Sequence, residues 1–411
     1  MIKAPNGELN LTIRRVFYRG CIRVYSASNA FHTAVAQGKH QIALLIFDDA
    51  VFTNDDIDVQ KGIEFNDYFN MNEDISIGQA LSNEISFSIF NDSGLLDNYA
   101  FGDFTATIGV QTGNQSITTN GTVYVQSASH TYIAKNTSPY LVRDDSSSIT
   151  QPTSPIVSIL IYDGIVYCGL QNGSVKMYND SNGSVYSGSI NSFMTAQLQK
   201  WKTKGIFYNK STRILKIWQN DEFTYSSSKK LRTYEFVPLG RFTAERPNVP
   251  TVNEIDFTCY DFMQKFEKDM PSASTLNMTY PATISTLFTK MCSNVGVSYE
   301  SNSFINSSAT IQKEPDDFEN VTMREVLQWI AEAAASNARF DRDGILKMDW
   351  IRSTNQVISE TGYREFGPYW YQTKKVTKLY NRSSDGEYEN TTGSGSEGYL
   401  IQDNPLLEEV T

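Results

Sequence analysis

Alternation of apolar and polar side chains predicts short strands throughout residues 41–111. Ile85, Phe87 and Ile89 alternate with serines, which is the period-two pattern of a strand with one buried face. Residues 42–47 (IALLIF) form a continuous apolar run and predict another strand. Turn-forming residues separate these segments at 48–49, 54–56 and 91–94. The region is therefore expected to be a β domain.

A different composition, rich in Ser, Thr, Asn, Gly and Tyr, extends over residues 112–235. Strands are predicted at 122–125, 156–161, 165–170, 174–178, 205–208 and 214–218. The units 162–180 and 205–223 each have a strand–turn–strand outline, which resembles a propeller blade, although two blades cannot close a propeller. A small sandwich fits the same pattern. Either way, the segment is predicted to be an all-β insertion.

A capped helix is predicted to begin at Thr322. Thr322 and Glu325 have the spacing of a capping box, which satisfies free amide groups at a helix start. An apolar stripe follows at three- and four-residue spacings: Met323, Leu327, Ile330 and Ala334.

The sequence after this helix predicts a hairpin. Residues 341–344 (DRDG) form a turn between strands 338–340 and 345–350. Upstream, 284–295 is a second amphipathic helix with Gly296 as its C-cap. A shorter helix starts at 260–266, where Phe262 and Phe266 share a face. Residues 261–352 are thus predicted to be an α+β domain without a reactive group.

The two ends of the chain give weaker patterns. Strands are predicted at 9–16 and 22–25 and a short helix at 30–36, so 1–40 is either an arm that docks on a neighbour or part of the local core. A strand is predicted at 370–380, followed by a polar loop.

Composition argues against several classes of protein. The net charge of -11 disfavours nucleic-acid binding by bulk electrostatics. Four scattered cysteines without a C-x-x-C pair indicate neither a disulfide framework nor a zinc site. No signal peptide and no apolar run of about 18 residues is evident, so the chain is expected to fold in a reducing cytoplasm.

Candidate chemical motifs have simpler structural interpretations. Residues 341–344 and 180–183 resemble calcium loops but lack the bidentate Glu that such loops need, so turns are favoured. Cys21 lies near His32 and His40, but nothing there resembles an activated nucleophile. The adjacent carboxylates at 48–49, 55–56 and 316–317 are interpreted as solvated turns. No catalytic, cofactor or metal residue is predicted.

The insertion offers one candidate binding surface. Its aromatic residues suit a platform for stacking sugars, although core positions in small β units are favoured. The residues selected for glycan contact are Tyr162, Tyr167, Trp201 and Trp218. A cluster of lysines (Lys200, Lys202, Lys204 and Lys210) is interpreted as a solvated face.

The order of motifs resembles that of bacteriophage tail baseplate hub proteins. Residues 51–57 (VFTNDDI), 74–78 (DISIG) and 82–87 (SNEISF) resemble the N-terminal part of this family. Further matching motifs are 237–242 (VPLGRF), 257–263 (FTCYDFM), 322–331 (TMREVLQWIA), 338–346 (ARFDRDGIL), Tyr380 and 401–405 (IQDNP). The resemblance covers 41–111 and 236–411 and leaves the insertion outside.

The resemblance implies a mainly β fold with α+β parts and tail-tube-like β-barrels. Residues 41–111 plus 236–260 would form a first, split barrel, and 261–352 the helix-plus-hairpin middle domain. Residues 353–411 would begin a second barrel, which the chain does not complete.

The implied function is that of a non-enzymatic virion protein at the tail tip. As a homotrimeric hub, it would adapt the six-fold tail tube and distal tail ring to a three-fold tip and line the DNA channel. Its partners would be the distal tail, tape measure and tip or receptor-binding proteins, with DNA only in passage. Two alternatives remain open: the structural N-terminal part of a tail-associated cell-wall-degrading enzyme, and a module that binds host surface glycan through the insertion.

Overall fold

The computed structural model is mainly β, which confirms the fold class expected from the sequence. It describes residues 11–15 and 27–349, with gaps at 48–49, 59, 68–76, 92–93, 95, 98, 118–121, 136, 146–148, 191, 202, 210–213, 220–228, 245–252, 315–317 and 319. Three further strands are described between 378 and 401. In these parts of the chain, no helix is long and apolar enough to cross a membrane.

The strands of the N-terminal half and the insertion are β1 (Leu11–Arg15), β2 (Gln41–Phe47), β3 (Val51–Phe52), β4 (Ile63–Asp67), β5 (Ala80–Leu81), β6 (Glu84–Phe90), β7 (Asp103–Ile117), β8 (Val123–Gln126), β9 (Thr131–Ala134), β10 (Leu141–Arg143), β11 (Ile156–Tyr162), β12 (Ile165–Leu170), β13 (Val175–Asn179), β14 (Lys204–Asn209), β15 (Ile214–Gln219) and β16 (Lys229–Thr243). The later strands are β17 (Glu254–Asp261), β18 (Ala282–Thr283), β19 (Ser298–Tyr299), β20 (Thr310–Ile311), β21 (Asn337–Phe340), β22 (Ile345–Asp349), β23 (Lys378–Arg382), β24 (Tyr388–Gly393) and β25 (Gly398–Ile401). The α-helices are α1 (Asn29–Ala36), α2 (Ser192–Lys200), α3 (Ile284–Val295) and α4 (Met323–Ala333), and a 3-10 helix spans Phe262–Phe266.

Eight strands form a curled sheet in the order β3–β2–β7–β16–β17–β6–β4–β1. Neighbouring strands are antiparallel except β1 and β4, which are parallel. The sheet folds back on itself, since Ile57, after β3, forms a bridge with Ile89 of β6. Its concave face encloses one core, in which Phe65, Phe104 and Phe242 are fully buried.

The curled sheet is open among the described residues, where it ends at β3 on one side and β1 on the other. The described strands are therefore a strongly curved sheet that is not closed into a barrel, and the tail-tube-like barrel stays a prediction. The N-terminal segment belongs to it through β1. Helix α1 confirms the short helix predicted at 30–36.

The insertion is a sandwich continuous with the curled sheet. Strands β7 and β16 pair along their whole length, from Asp103 and Thr243 to Ile117 and Lys229, and so run out of the curled sheet into the insertion. There the order continues as β16–β15–β14–β11–β12–β13. The small sheet β10–β9–β8 covers one face, and the two sheets enclose a shared core.

Two predictions for the insertion are wrong. The units beginning at 162 and 205 are not propeller blades, because parallel pairing of β11 with β14 places them in one sheet. The sandwich alternative describes the arrangement. The insertion is also not all-β, since it contains helix α2.

The middle domain confirms the predicted helix and hairpin. The Thr322 hydroxyl accepts from the Glu325 amide at 3.2 Å, and the Glu325 carboxylate accepts from the Thr322 amide at 2.7 Å, which completes the capping box. Met323, Leu327 and Ile330 are fully buried. The second helix, α3, ends as predicted at Gly296, which has a left-handed φ of 71°. The predicted helix near 260–266 is instead a 3-10 helix.

Strand β5 joins the middle domain to the curled sheet. It lies between β4 and β6 in the chain but pairs with β21, completing the sheet β19–β22–β21–β5. Arg324 of α4 donates two hydrogen bonds to the Ala80 carbonyl, at 2.8 and 3.2 Å. This segment therefore ties the two parts together.

Strands β23, β24 and β25 form a separate three-stranded sheet. The predicted strand at 370–380 falls outside the described residues except for 378–380. The start of a second barrel at 353–411 also lies largely outside them.

Candidate functional site

The four aromatic residues selected for glycan contact do not form a surface platform. Trp201, Trp218 and Tyr162 are only 1%, 4% and 9% exposed, and Tyr167 is half-buried. Sugar stacking needs an exposed ring face. Burial therefore argues against glycan contact at Trp201, Trp218 and Tyr162, and contact at Tyr167 stays a prediction.

Trp218 and Tyr162 make structural contacts instead. The Trp218 indole donates to the Gln115 side chain at 3.0 Å, which links β15 to β7. The Tyr162 hydroxyl donates to the Phe47 carbonyl at 3.3 Å, and the ring stacks on Tyr208 with centroids 5.7 Å apart. Of these contacts, the hydrogen bond from Tyr162 to Phe47 connects the insertion to the curled sheet.

The best-developed polar cluster lies where helix α2 meets the turn after β3. Asp56 is only 2% exposed, and its carboxylate accepts from the Thr53 amide at 2.9 Å. The Gln197 side-chain amide donates to the Val51 carbonyl and lies 3.4 Å from the Asp56 carboxylate. Lys200 lies 3.7 Å from the same carboxylate.

Asp56 corrects the interpretation of residues 55–56 as a solvated turn. Burial raises the pKa of Asp56, whereas the Thr53 amide and the charge of Lys200 lower it. Its neighbour Asp55 forms an ion pair with Lys204. Two members of the predicted lysine cluster, Lys200 and Lys204, thus hold carboxylates of the curled sheet, and the other two lie outside the described residues.

A second buried carboxylate, Asp261, lies where the curled sheet meets the middle domain. It accepts from the amides of Asn83 at 2.9 Å and Met263 at 3.0 Å and from the Ser82 hydroxyl at 3.1 Å. Burial raises its pKa to about 7 against these donors. The carboxylate caps the 3-10 helix and fixes the start of β6.

The calcium-like sequences form turns, as predicted. The Asp341 carboxylate accepts from the amides of Asp343 and Ile345 at 2.9 and 3.0 Å, and Gly344 has a positive φ of 72°. In the other turn, Gly183 has a φ of 69°. Local bonds thus account for the first motif, and the second is a turn with a glycine at positive φ.

Sequence reasoning missed one group of possible metal ligands. Ligand atoms of His130, Asp144 and Asp145 lie within 4.8 Å of one another. Both oxygens of Asp145 already accept from the Arg143 guanidinium, at 2.6 and 2.9 Å. A cation there would have to approach a fixed positive charge, which weakens the case for a metal site.

The cysteines in the described residues are buried thiols. Cys168, Cys259 and Cys292 are at most 1% exposed, and burial raises the pKa of Cys292 to about 12. Because the thiolate is the reactive form, these positions suit packing. Cys21 lies outside the described residues.

Comparison of the chain with protein-family models, curated proteins and solved structures finds no match.

Proposed function

We propose that this chain is a structural protein of a bacteriophage tail tip, a trimeric hub that joins the six-fold tail tube and distal tail ring to a three-fold tip. One observation carries the proposal. The two separated segments that the motif order assigns to one unit, 41–111 and 236–260, are hydrogen-bonded into one curled sheet around one core. A ring of such sheets can surround a channel.

The convex face of this sheet supports a role beside passing DNA. Because Ile85, Phe87, Ile255 and Phe257 point into the core, the alternate positions of β6 and β17 face outward. These positions include Glu84, Glu254 and Asp256, with Lys61 beside the last two. Together with the net charge of -11, they favour a wall that repels DNA.

Electron microscopy of the purified intact chain tests the proposal. We expect class averages of a three-fold ring around a central opening. Isolated particles without three-fold symmetry, at concentrations where the chain is folded, would count against the hub.

A further inference from the structure

The outer edge of strand β3 is occupied by groups from its own chain. The Val51 carbonyl accepts from the Gln197 side chain of helix α2. The Thr53 amide donates to the Asp56 carboxylate, and the Thr53 carbonyl accepts from the Asp56 amide at 2.9 Å. These three backbone groups are therefore already bonded and not available to another strand.

The apolar face beside this edge is also covered. Ile42, Leu44 and Ile46 of β2 and Val51 of β3 share a buried cluster with the insertion. Helix α2 contributes Met194 and Leu198 to that cluster, and Trp201 follows directly after the helix. At its exposed rim, Lys204 forms an ion pair with Asp55.

We infer that helix α2 blocks the β3 end of the curled sheet, so that the edge strand of a second copy of the chain cannot pair there. We call helix α2 in this role the guard. The inference rests on the proposed function, a ring of copies of this chain, and adds that these copies meet through sheet edges. An open edge invites pairing with further strands. If two different edges pair and the resulting array of subunits does not close on itself, the subunits form an open filament in place of a ring. Blocking one end within the chain prevents this.

Gln197→Glu in the intact chain tests the guard. The new carboxylate would lie beside buried Asp56, and repulsion between the two would weaken the hold of α2 on β3. Gln199→Glu is the matched control, because it makes the same charge change on the same helix at a position that is only partly buried. The measurements are hydrogen exchange of peptides spanning 50–57 and mass by light scattering over a range of concentrations.

We expect Gln197→Glu to raise exchange in 50–57 by about tenfold, which corresponds to losing one buried hydrogen bond. The measured mass of Gln197→Glu should also exceed that of the unmodified chain by an amount that grows with concentration. Gln199→Glu should change neither the exchange in 50–57 nor the mass. Faster exchange without added mass would overturn the guard. So would an equal effect of the control, or no change in either measurement.

If Gln197→Glu fails to fold, Gln197→Met is judged by the same criteria, since it keeps the side-chain length and removes the donor. The outcome also separates the two proposals. A monomeric unmodified chain would contradict the hub, whereas the guard is judged only by the difference between variant and unmodified chain.

Discussion

At Asp261, burial and hydrogen bonding shift the pKa in opposite directions. Its pKa rises from 3.8 to about 7 because burial outweighs the three donors around it. Since the folded pKa lies above the unfolded one, the folded state binds the proton more tightly. The resulting stability is fully present below about pH 4 and is lost as the pH rises through about 7.

We expect Asp261→Asn to remove this dependence. The unmodified chain should lose free energy of unfolding between pH 4.5 and pH 8, at about 1.4 kcal/mol per unit of pKa difference, and the variant should lack that component. Urea denaturation at the two pH values measures it. Asp256→Asn is the control, because Ser88 and Lys61 lower the pKa of Asp256, so that this group is ionised in both states throughout the range and its variant should keep the pH dependence of the unmodified chain. The same pH dependence in Asp261→Asn and the unmodified chain would refute this account.

The stability of a Trp201 variant shows whether this side chain belongs to the core or to a binding surface. Because the side chain is 1% exposed and packs between α2 and the insertion sheet, Trp201→Ala should lower the free energy of unfolding by about 3–5 kcal/mol. Tyr260, which is 39% exposed, provides the control, since Tyr260→Ala should cost far less. Urea denaturation compares them. A Trp201→Ala chain as stable as the unmodified one would mean that the indole is not a core residue.

The capping and burial of side chains could be predicted where they depend on neighbours in the sequence. They could not be predicted where they depend on contacts with residues far away in the chain. The capping box and the stripe of α4 follow from spacings of three and four residues. Alternation with Leu346 and Met348 would place Lys347 on the exposed face of its strand, yet Lys347 is 9% exposed because Glu300 and Asp341 each bind its ammonium at 3.0 Å. The burial of Asp56 depends on Gln197, which is far away in the chain.

At the scale of elements, the sandwich depends on close backbone approach at Gly205 of β14. A Cβ atom there would lie 1.8 Å from the Tyr124 carbonyl oxygen of β8. Gly205→Ala should therefore push the two sheets apart and lower the free energy of unfolding by at least about 1–3 kcal/mol.

Gly102→Ala is the control for this prediction, because nothing lies within 4 Å of a Cβ at that position. Urea denaturation of both variants provides the measurement. Equal stability of the two variants would contradict the close packing of β8 on β14.

The positions of strands could be predicted because the alternation of apolar and polar side chains is a local pattern. Which strands pair with each other could not be predicted. Nothing in the sequence indicated that β7 and β16, more than 100 residues apart, pair over 15 residues each. Helix α2 was missed because its segment is polar overall, although Met194 and Leu198, four residues apart, gave a usable signal. The blade interpretation failed because the parallel pairing of β11 with β14 leaves no local trace.

At the scale of the whole molecule, the insertion and the curled sheet are one structure. Removing 112–235 would cut through β7 and β16 and expose the apolar side chains that α2 covers. Such a deletion would confound loss of assembly with loss of folding. The intact chain is therefore the right material for testing assembly.

The most direct test of the hub is the mass of the intact chain in solution by light scattering. The account predicts three times the 46.3 kDa of one chain, independent of concentration above the assembly threshold. A folded chain that remains a monomer or stops at a dimer at every concentration would contradict it.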